Sequence, residues 1–382
     1  MNTNIGHQHP KVVAAIQEQA ARLCTLAPGF AVDVRSEAAR LIAERTPGDL
    51  DKIFFTNGGA EAVENAVRMA RLHTGRAKVL STYRSYHGAT AAAINLTGDP
   101  RRWPSDTAAA GVVHFWGPYL YRSAFHATTE PRSASARSPT SPTPSPSRAR
   151  SPSPRSSWRP CPAPRGSWSR PPATSRASAS SATATASSSS STRSWPASAA
   201  RTWFAAEHWG VTPDLITFAK GVNSGYVPLG GVAISGAIAE TFATRPYPGG
   251  LTYSGHPLAC AAAVATINAM EEEDVVGHAA RLGEHVLGPG LAELAERHPS
   301  VGEVRGLGAF WALELVRDKE TREPLVPYNA AGEANAPMAE FAAACKASGL
   351  WPFVNMNRTH VVPPCTVTER RPRRAWPCST RR

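Results

Sequence analysis

The stretch Phe54–Arg71, FFTNGGAEAVENAVRMAR, passes from an apolar strand through a glycine turn into a helix. Lys52–Phe55 has the aromatic and β-branched content of a strand, and Thr56-Asn57-Gly58-Gly59 is turn chemistry. Ala60–Leu72 then reads as a helix, with Glu61 and Glu64 in the first turn, where the helix dipole favours acids. The same alternation extends on both sides. Upstream, Pro10–Cys24 carries Val12, Val13, Ile16, Ala20 and Leu23 at helical spacing. Downstream, Lys78–Leu80, Val112–Phe115, Asp214–Ala219 and Leu229–Ile234 are short apolar strands, and Trp203–Trp209 and His256–Met270 are helical. Strands alternating with helices predict an α/β fold with a mostly parallel sheet. The last third differs. Two amphipathic helical stretches span Asp274–Arg297 around Gly288-Pro289-Gly290, followed by a strand-like Val304–Val316 and a helix over Pro337–Lys346. The expected organisation is a large domain from residues 1–132 and 202–272, and a small α+β C-terminal domain over 273–369.

The chain has 382 residues, 34 prolines and a formal charge of +12. Such a charge would suggest nucleic-acid binding, until the charges are located. Arg132 to Arg201 holds 11 arginines and no acid, and Arg370 to Arg382 holds 6 more. Without those 17, the remaining 24 basic residues face 29 acids, a net of −5. The body of the protein is therefore mildly acidic, with neither a nucleic-acid nor a membrane footprint. Six cysteines show no CxxC pairing, which fits free thiols in a reducing compartment. No stretch reaches the ~18–20 apolar residues of a membrane span. MNTNIGHQHP lacks the pattern of a signal peptide, so a cytoplasmic location is expected.

Residues 133–201 use only Ser, Ala, Arg, Pro, Thr, Trp, Cys and Gly. One reading is a disordered, low-complexity linker that is phosphorylated or binds RNA. The other is a shifted reading frame. If each codon is rebuilt from the third base of one and the first two of the next, Thr192–Arg201 permits D-E-V-M-A-G-F-G-R-T. Ser157–Pro160 permits V-L-E-P, and Arg374–Thr380 in the tail permits E-G-L-A-L-L-D. Coherent strand and helix patterns across the whole block favour two frameshift scars, at 133–201 and 370–382. With no Leu, Ile, Val, Phe or Tyr, the block as written is expected to form no core strand.

Several residues in the intact parts can carry chemistry. Lys220 follows the apolar strand of DLITFAKGVNSGYVPLGGVAIS (Asp214–Ser235), where a lysine with a lowered pKa can form an imine. A solvated lysine at a strand end is the ordinary alternative. Gly59 and Ala60 open a helix whose backbone N–H groups suit a phosphate. Tyr86, in Tyr86-His87-Gly88, could stack on a flat cofactor, or the Tyr–His pair could simply be packed core.

Taken in order, NIGHQHPKVV, FFTNGGAEAVENAVRMAR, SYHGAT, ITFAKGVNSGYVPLGG, LTYSGHPLACAAA, VRGLGAFWALEL and NRTHVVPPCTVTE resemble the class III (omega) aminotransferase family over nearly all the readable chain. The resemblance implies a pyridoxal 5'-phosphate (PLP) fold-type-I enzyme with a three-layer α/β/α large domain, acting as a homodimer. Its implied reaction moves an amino group from an amino acid or omega-amine donor to a 2-oxo acid. An aminomutase or decarboxylase on the same fold is the nearest rival. Lys220 is then the Schiff-base lysine and proton shuttle. Gly59 and Ala60 hold the phosphate, Tyr86 stacks on the ring with His87 nearby, and Thr252 reaches the neighbouring subunit's cofactor. Arg358 is a candidate for a substrate carboxylate, against the alternative of a surface arginine. The family also implies an aspartate at the pyridine nitrogen and a further segment upstream of Met1. The aspartate codon would straddle Ser191 and Thr192, so the acid is absent and impaired activity is expected.

Overall fold

The computed structural model describes residues 2–105, 111–117, 119–125, 186–187 and 202–369. The tail from residue 370 and nearly all of 133–201 lie outside the described residues. In chain order the first elements are helices α1 (Pro10–Arg22) and α2 (Asp33–Ala43), strand β1 (Lys52–Thr56) and helix α3 (Gly59–Thr74). Strand β2 (Val79–Thr82), helix α4 (Ala91–Leu96) and strands β3 (Val112–Phe115) and β4 (Ala186–Ser187) follow. Strands β5 (Leu215–Ala219) and β6 (Gly230–Ile234) and helices α5 (Gly236–Thr241) and α6 (Pro257–Glu272) complete this part. Beyond it lie α7 (Val275–Leu282), α8 (Gly288–Arg297), β7 (Val301–Leu307), β8 (Phe310–Asp318), β9 (Glu323–Pro324), α9 (Ala336–Ala347), β10 (Phe353–Asn355) and β11 (Arg358–Val361).

The central sheet has the order β1-β6-β5-β4. Both β1 and β5 are antiparallel to β6, and β4 is parallel to β5, so three strands point one way and β6 alone opposes them. A second pair, β2 and β3, is parallel. All five residues of β5 and of β6 are buried, as expected of strands covered on both faces. The pleat divides β5 between two layers. Leu215 packs with Ala62, Ala66, Met69 and Ile238 from α3 and α5. Ile216 and Phe218 point the other way, into a cluster with Val12, Leu41, Ile42, Cys260 and Ile267 from α1, α2 and α6. The result is the three-layer α/β/α arrangement.

Two expectations need correction. Ala186–Ser187, inside the Ser/Pro/Arg block, does pair with the sheet, its residues opposite Leu215 and Ile216. Backbone hydrogen bonding does not require an apolar side chain, which the composition argument overlooked. Also, Val304–Val316 is not one strand but the greater part of a hairpin, with β7 and β8 joined at Gly308 and Ala309; Gly308 supplies the positive φ (54°) that two-residue hairpin turns need.

The C-terminal sheet runs β10-β11-β8-β7, with β9 on β8, and is wholly antiparallel. Leu291 and Leu294 of α8 and Met338 of α9 pack on Leu313 and Leu315 of β8. Val275, Ala279 and Leu282 of α7 share the large-domain cluster with α6, so this helix packs with both parts of the chain.

Candidate active site

Strand register brings two of the candidate features, the Asn57–Gly59 turn and Lys220, to one end of the sheet. Thr56, the last residue of β1, is opposite Gly230, and Gly230 is opposite Ala219, the last residue of β5. The Asn57–Gly59 turn and Lys220 therefore leave the sheet at the same edge, two strand spacings apart, or roughly 10 Å. That is where open α/β sheets bind ligands, at the carboxyl ends of parallel strands.

Gly230 allows this approach. A Cβ there would lie 2.8 Å from both the carbonyl carbon and oxygen of Gly58. On the far side, Gly88 has a φ of 142°, and a Cβ on it would fall 2.5 Å from the Ala60 Cβ and 2.9 Å from its Cα. Glycine at both positions lets the β6 edge and the Tyr86–Gly88 loop close on the α3 N-terminus. No side chain caps α3, and its first backbone bond is from the Ala62 N–H to the Gly58 carbonyl. The Gly59 and Ala60 N–H groups thus have no helical acceptor, and they head a 16-residue helix with its positive dipole end.

Lys220 follows five buried residues, yet its own side chain is exposed. Its φ of 53° is in the left-handed region, which costs a non-glycine residue about 1–2 kcal/mol. Lys220 opens a four-residue 3-10 turn, Lys220–Asn223, that is capped by Ser224, also left-handed and fully buried. An N-terminal strap holds this loop down. Ser224 Oγ accepts from the Ile5 N–H (3.2 Å), and Tyr226 Oη donates to the Gly6 carbonyl (3.1 Å) while accepting from the His9 N–H. The same strap bonds the chain's other end, where the Cys365 N–H donates to the Asn4 carbonyl (2.7 Å).

Tyr86 is half-buried, with the Arg101 guanidinium 3.7 Å from its ring centroid. Asp99, itself buried, fixes that guanidinium at 3.1 Å from Nε. This Asp99–Arg101 support carries no sequence signature beyond its charge pair. His87 is placed differently from Tyr86: its ring is buried, with Nε2 3.2 Å from Ser81 Oγ and 3.1 Å from Ser85 Oγ. Those bonds tie the His87 ring to β2 and to its own loop. Thr252 is exposed and beside the 60 % exposed Tyr253, while Ser254 Oγ donates to the Phe55 carbonyl.

Arg358 is not the surface arginine of the ordinary alternative. It is 5 % exposed, in the β11 strand, and its guanidinium has no hydrogen bond or ion pair among the described residues. Burial and the nearby Arg305 charge depress its pKa below the usual arginine range.

PLP supplies an electron sink for a carbanion, and the residues present fit its phosphate and aldehyde ends: an uncapped helix start between two obligatory glycines, and an exposed strand-end lysine. The pyridine end is different. The strand beside β5 comes from a stretch without a single acid between Arg132 and Arg201.

An α/β/α sheet with a lysine at one strand end and an uncapped, glycine-flanked helix start at another fits a PLP enzyme of fold type I. The family comparison makes this specific. The chain belongs to the class III aminotransferases, whose family pattern matches residues 1–128 and 197–375. It is 35 % identical over 329 residues to the 5-aminovalerate aminotransferase DavT of Pseudomonas aeruginosa, covering 84 % of this chain and 74 % of that one. With the 4-aminobutyrate aminotransferase GabT of Escherichia coli the identity is 32 % over 338 residues, at the same coverage. Among solved structures, the taurine:2-oxoglutarate aminotransferase of Bifidobacterium kashiwanohense, in complex with PLP and glutamate, superposes with a TM-score of 0.83. It is 31 % identical, covering 99 % of this chain and 86 % of that one. The protein is thus a PLP-dependent transaminase by family, using an amino donor and a 2-oxo acid. No helix among the described residues is long and apolar enough to cross a membrane.

Proposed function

We propose that this chain transfers the terminal amine of an omega-amino acid to a 2-oxo acid, in the cytoplasm, as a homodimer. The observation that carries the site is Lys220, exposed and left-handed at the end of a wholly buried strand. Backbone strain of that kind persists where the surroundings over-determine it, which marks functional positions. Lys220 Nζ would hold the cofactor covalently and, once displaced by the donor's amine, would be the free base that takes and returns the proton on the substrate carbon bearing that amine. The Gly59 and Ala60 N–H groups bind the phosphate. Tyr86, backed by Arg101, lies against the ring, and His87 keeps the loop in place. Thr252 addresses the cofactor of the second subunit, for which its exposure in the single chain leaves it available.

Arg358 receives the acid group at the other end of the donor. A buried guanidinium without an anion is costly, and a substrate carboxylate relieves that cost. The substrates named for DavT and GabT, 5-aminovalerate and 4-aminobutyrate, share this pattern of a terminal amine and a remote carboxylate.

The absence of an acid in the strand beside β5 slows turnover, because the pyridine nitrogen has no carboxylate to keep it protonated. The gap in the family match, residues 129–196, coincides with the Ser/Pro/Arg block and supports a shifted frame there. Lys220→Ala tests the central assignment. It should abolish the absorbance of lysine-bound cofactor and lower amino transfer by about 10²–10⁴-fold. Unchanged absorbance would remove Lys220 from its role. A gene whose frame is restored over 133–201 should turn over faster than the present chain, and equal rates would refute the impairment.

A further inference from the structure

Arg35 sits where its own helix does not favour it. It is in the first turn of α2, where the helix dipole opposes a cation and suits the acid two residues earlier, Asp33. Its guanidinium is committed to backbone elsewhere. Nε donates to the Gly255 carbonyl at 2.8 Å. Nη1 donates to the carbonyls of Pro28 (3.1 Å) and Phe30 (2.8 Å), and Nη2 to that of Leu26 at 3.3 Å. One side chain thus joins the loop 26–30 to the loop 251–256, and Gly255 lies 220 residues away in sequence. The planar fork of arginine serves carbonyls on both loops at once, which the single ammonium of lysine does not reproduce.

The 251–256 loop is tied in its second half. Ser254 Oγ donates to the Phe55 carbonyl of β1 (2.7 Å), and the Ser254 N–H donates to the Leu251 carbonyl at 3.0 Å. Gly255 has a left-handed φ of 59°, and a Cβ there would stand 2.7 Å from both Cδ and Nε of Arg35. Glycine at this position is what lets the arginine lie against the loop backbone. From Pro257 the chain is already in α6. Thr252 and Tyr253 precede these ties, and both are exposed. The posture of the loop is therefore set by Ser254 against β1 and by Arg35 against α2, and Thr252 is carried on it.

We propose that Arg35 is a positioning residue for the second subunit's cofactor: by holding the Gly255 carbonyl, it keeps Thr252 where its hydroxyl reaches the phosphate across the subunit boundary. This role rests on the reading of Thr252 as a ligand of that phosphate in a homodimer. A hydroxyl spans one hydrogen bond, so a loop displaced by about 1 Å loses the contact.

Binding of PLP, and of pyridoxal, which lacks the phosphate, to the full-length cofactor-free protein separates this role from general support. The absorbance of lysine-bound cofactor reports both without turnover. Arg35→Gln should weaken PLP about tenfold, the value of one hydrogen bond to a charged group, and leave pyridoxal within about twofold. Arg35→Lys should recover part of the loss through a single bond to Gly255. Thr252→Ala should show the same phosphate-restricted loss. The double variant Arg35→Gln/Thr252→Ala should stay near about tenfold, because both changes remove one contact. A double loss of about a hundredfold, or a pyridoxal loss equal to the PLP loss, overturns the proposal and makes Arg35 a general support. Should Arg35→Gln not fold, Arg35→Lys takes its place in the cycle, with a smaller phosphate-restricted loss that vanishes in the Thr252→Ala background. A loss in Thr252→Ala beside unchanged Arg35 variants defeats the Arg35 role alone. Unchanged PLP binding in Thr252→Ala defeats the reading of Thr252, and the Arg35 role falls with it.

Discussion

Replacing Gly88 by alanine should damage the phosphate cradle far more than one methyl group suggests. Two costs combine. The backbone at φ 142° is one that L-residues rarely adopt, at about 1–3 kcal/mol. The new Cβ would also stand 2.5 Å from the Ala60 Cβ, 2.9 Å from the Ala60 Cα and 3.1 Å from the Ala93 Cβ. None of these is the end of a flexible side chain, so the α3 N-terminus or the Tyr86–Gly88 loop must shift. Overpacking of this kind costs about 1–3 kcal/mol. Gly75→Ala is the control. Gly75 ends the same helix with a φ of 66°, and nothing lies within 4 Å of a Cβ built there, so it bears the backbone cost alone. In urea unfolding Gly88→Ala should exceed Gly75→Ala by about 1–3 kcal/mol. In an absorbance titration it should also weaken PLP binding by about tenfold, as one N–H bond to the phosphate is lost, with Gly75→Ala unaffected. If the two variants match in both assays, Gly88 does not shape the cradle.

Three further outcomes follow from other parts of the molecule. Glu314→Gln should destabilise the fold by about 3–5 kcal/mol, because Arg122 and Arg305 lose their shared buried carboxylate; a loss under about 1 kcal/mol would show those charges to be solvated. Burial pushes the Cys260 thiol from its ordinary 9.0 up to about 12. The folded state therefore keeps a proton that the unfolded chain releases above pH 9, so this contribution is complete below pH 9 and is lost as pH rises toward 12. Alkaline unfolding should steepen by about 1.4 kcal/mol per pH unit in that window and flatten in Cys260→Ala; identical pH profiles would refute it. Arg101→Leu should weaken PLP binding several-fold by freeing the Tyr86 ring, and a spectral titration that matches the parent protein would exclude that support.

The parts of the site that were legible in the sequence are those that local chemistry dictates. LITFA reads as a buried strand because its five residues are apolar or β-branched, and the lysine that ends it is conspicuous for that reason. The glycine turn before α3 is visible in the same way. Arg358 was not decided by its neighbours in sequence, since its burial depends on β8 lying alongside β11, a pairing of strands more than 40 residues apart. The pairing of Arg101 with Tyr86 was equally silent, because it depends on how a loop folds over itself. Gly288-Pro289-Gly290 reads as an interruption between helices but begins α8, with the proline in the first turn, where its missing N–H costs nothing. The Asn4–Gly6 strap was visible only as part of the NIGHQHPKVV block, and its contacts with residues 224–226 and 365 were not, because they join segments far apart in sequence.

That strap has a temporal consequence. The hydrogen bond from Cys365 to Asn4 joins residues at opposite ends of the chain, and Asn4–Gly6 is what clamps the loop carrying Lys220. During synthesis at ~5–20 residues per second, Cys365 follows Lys220 by 145 residues, so its bond joins the strap well after β1, β5 and β6 have been made. The support of the lysine loop is thus completed from a distant part of the chain rather than within the sheet that presents the lysine.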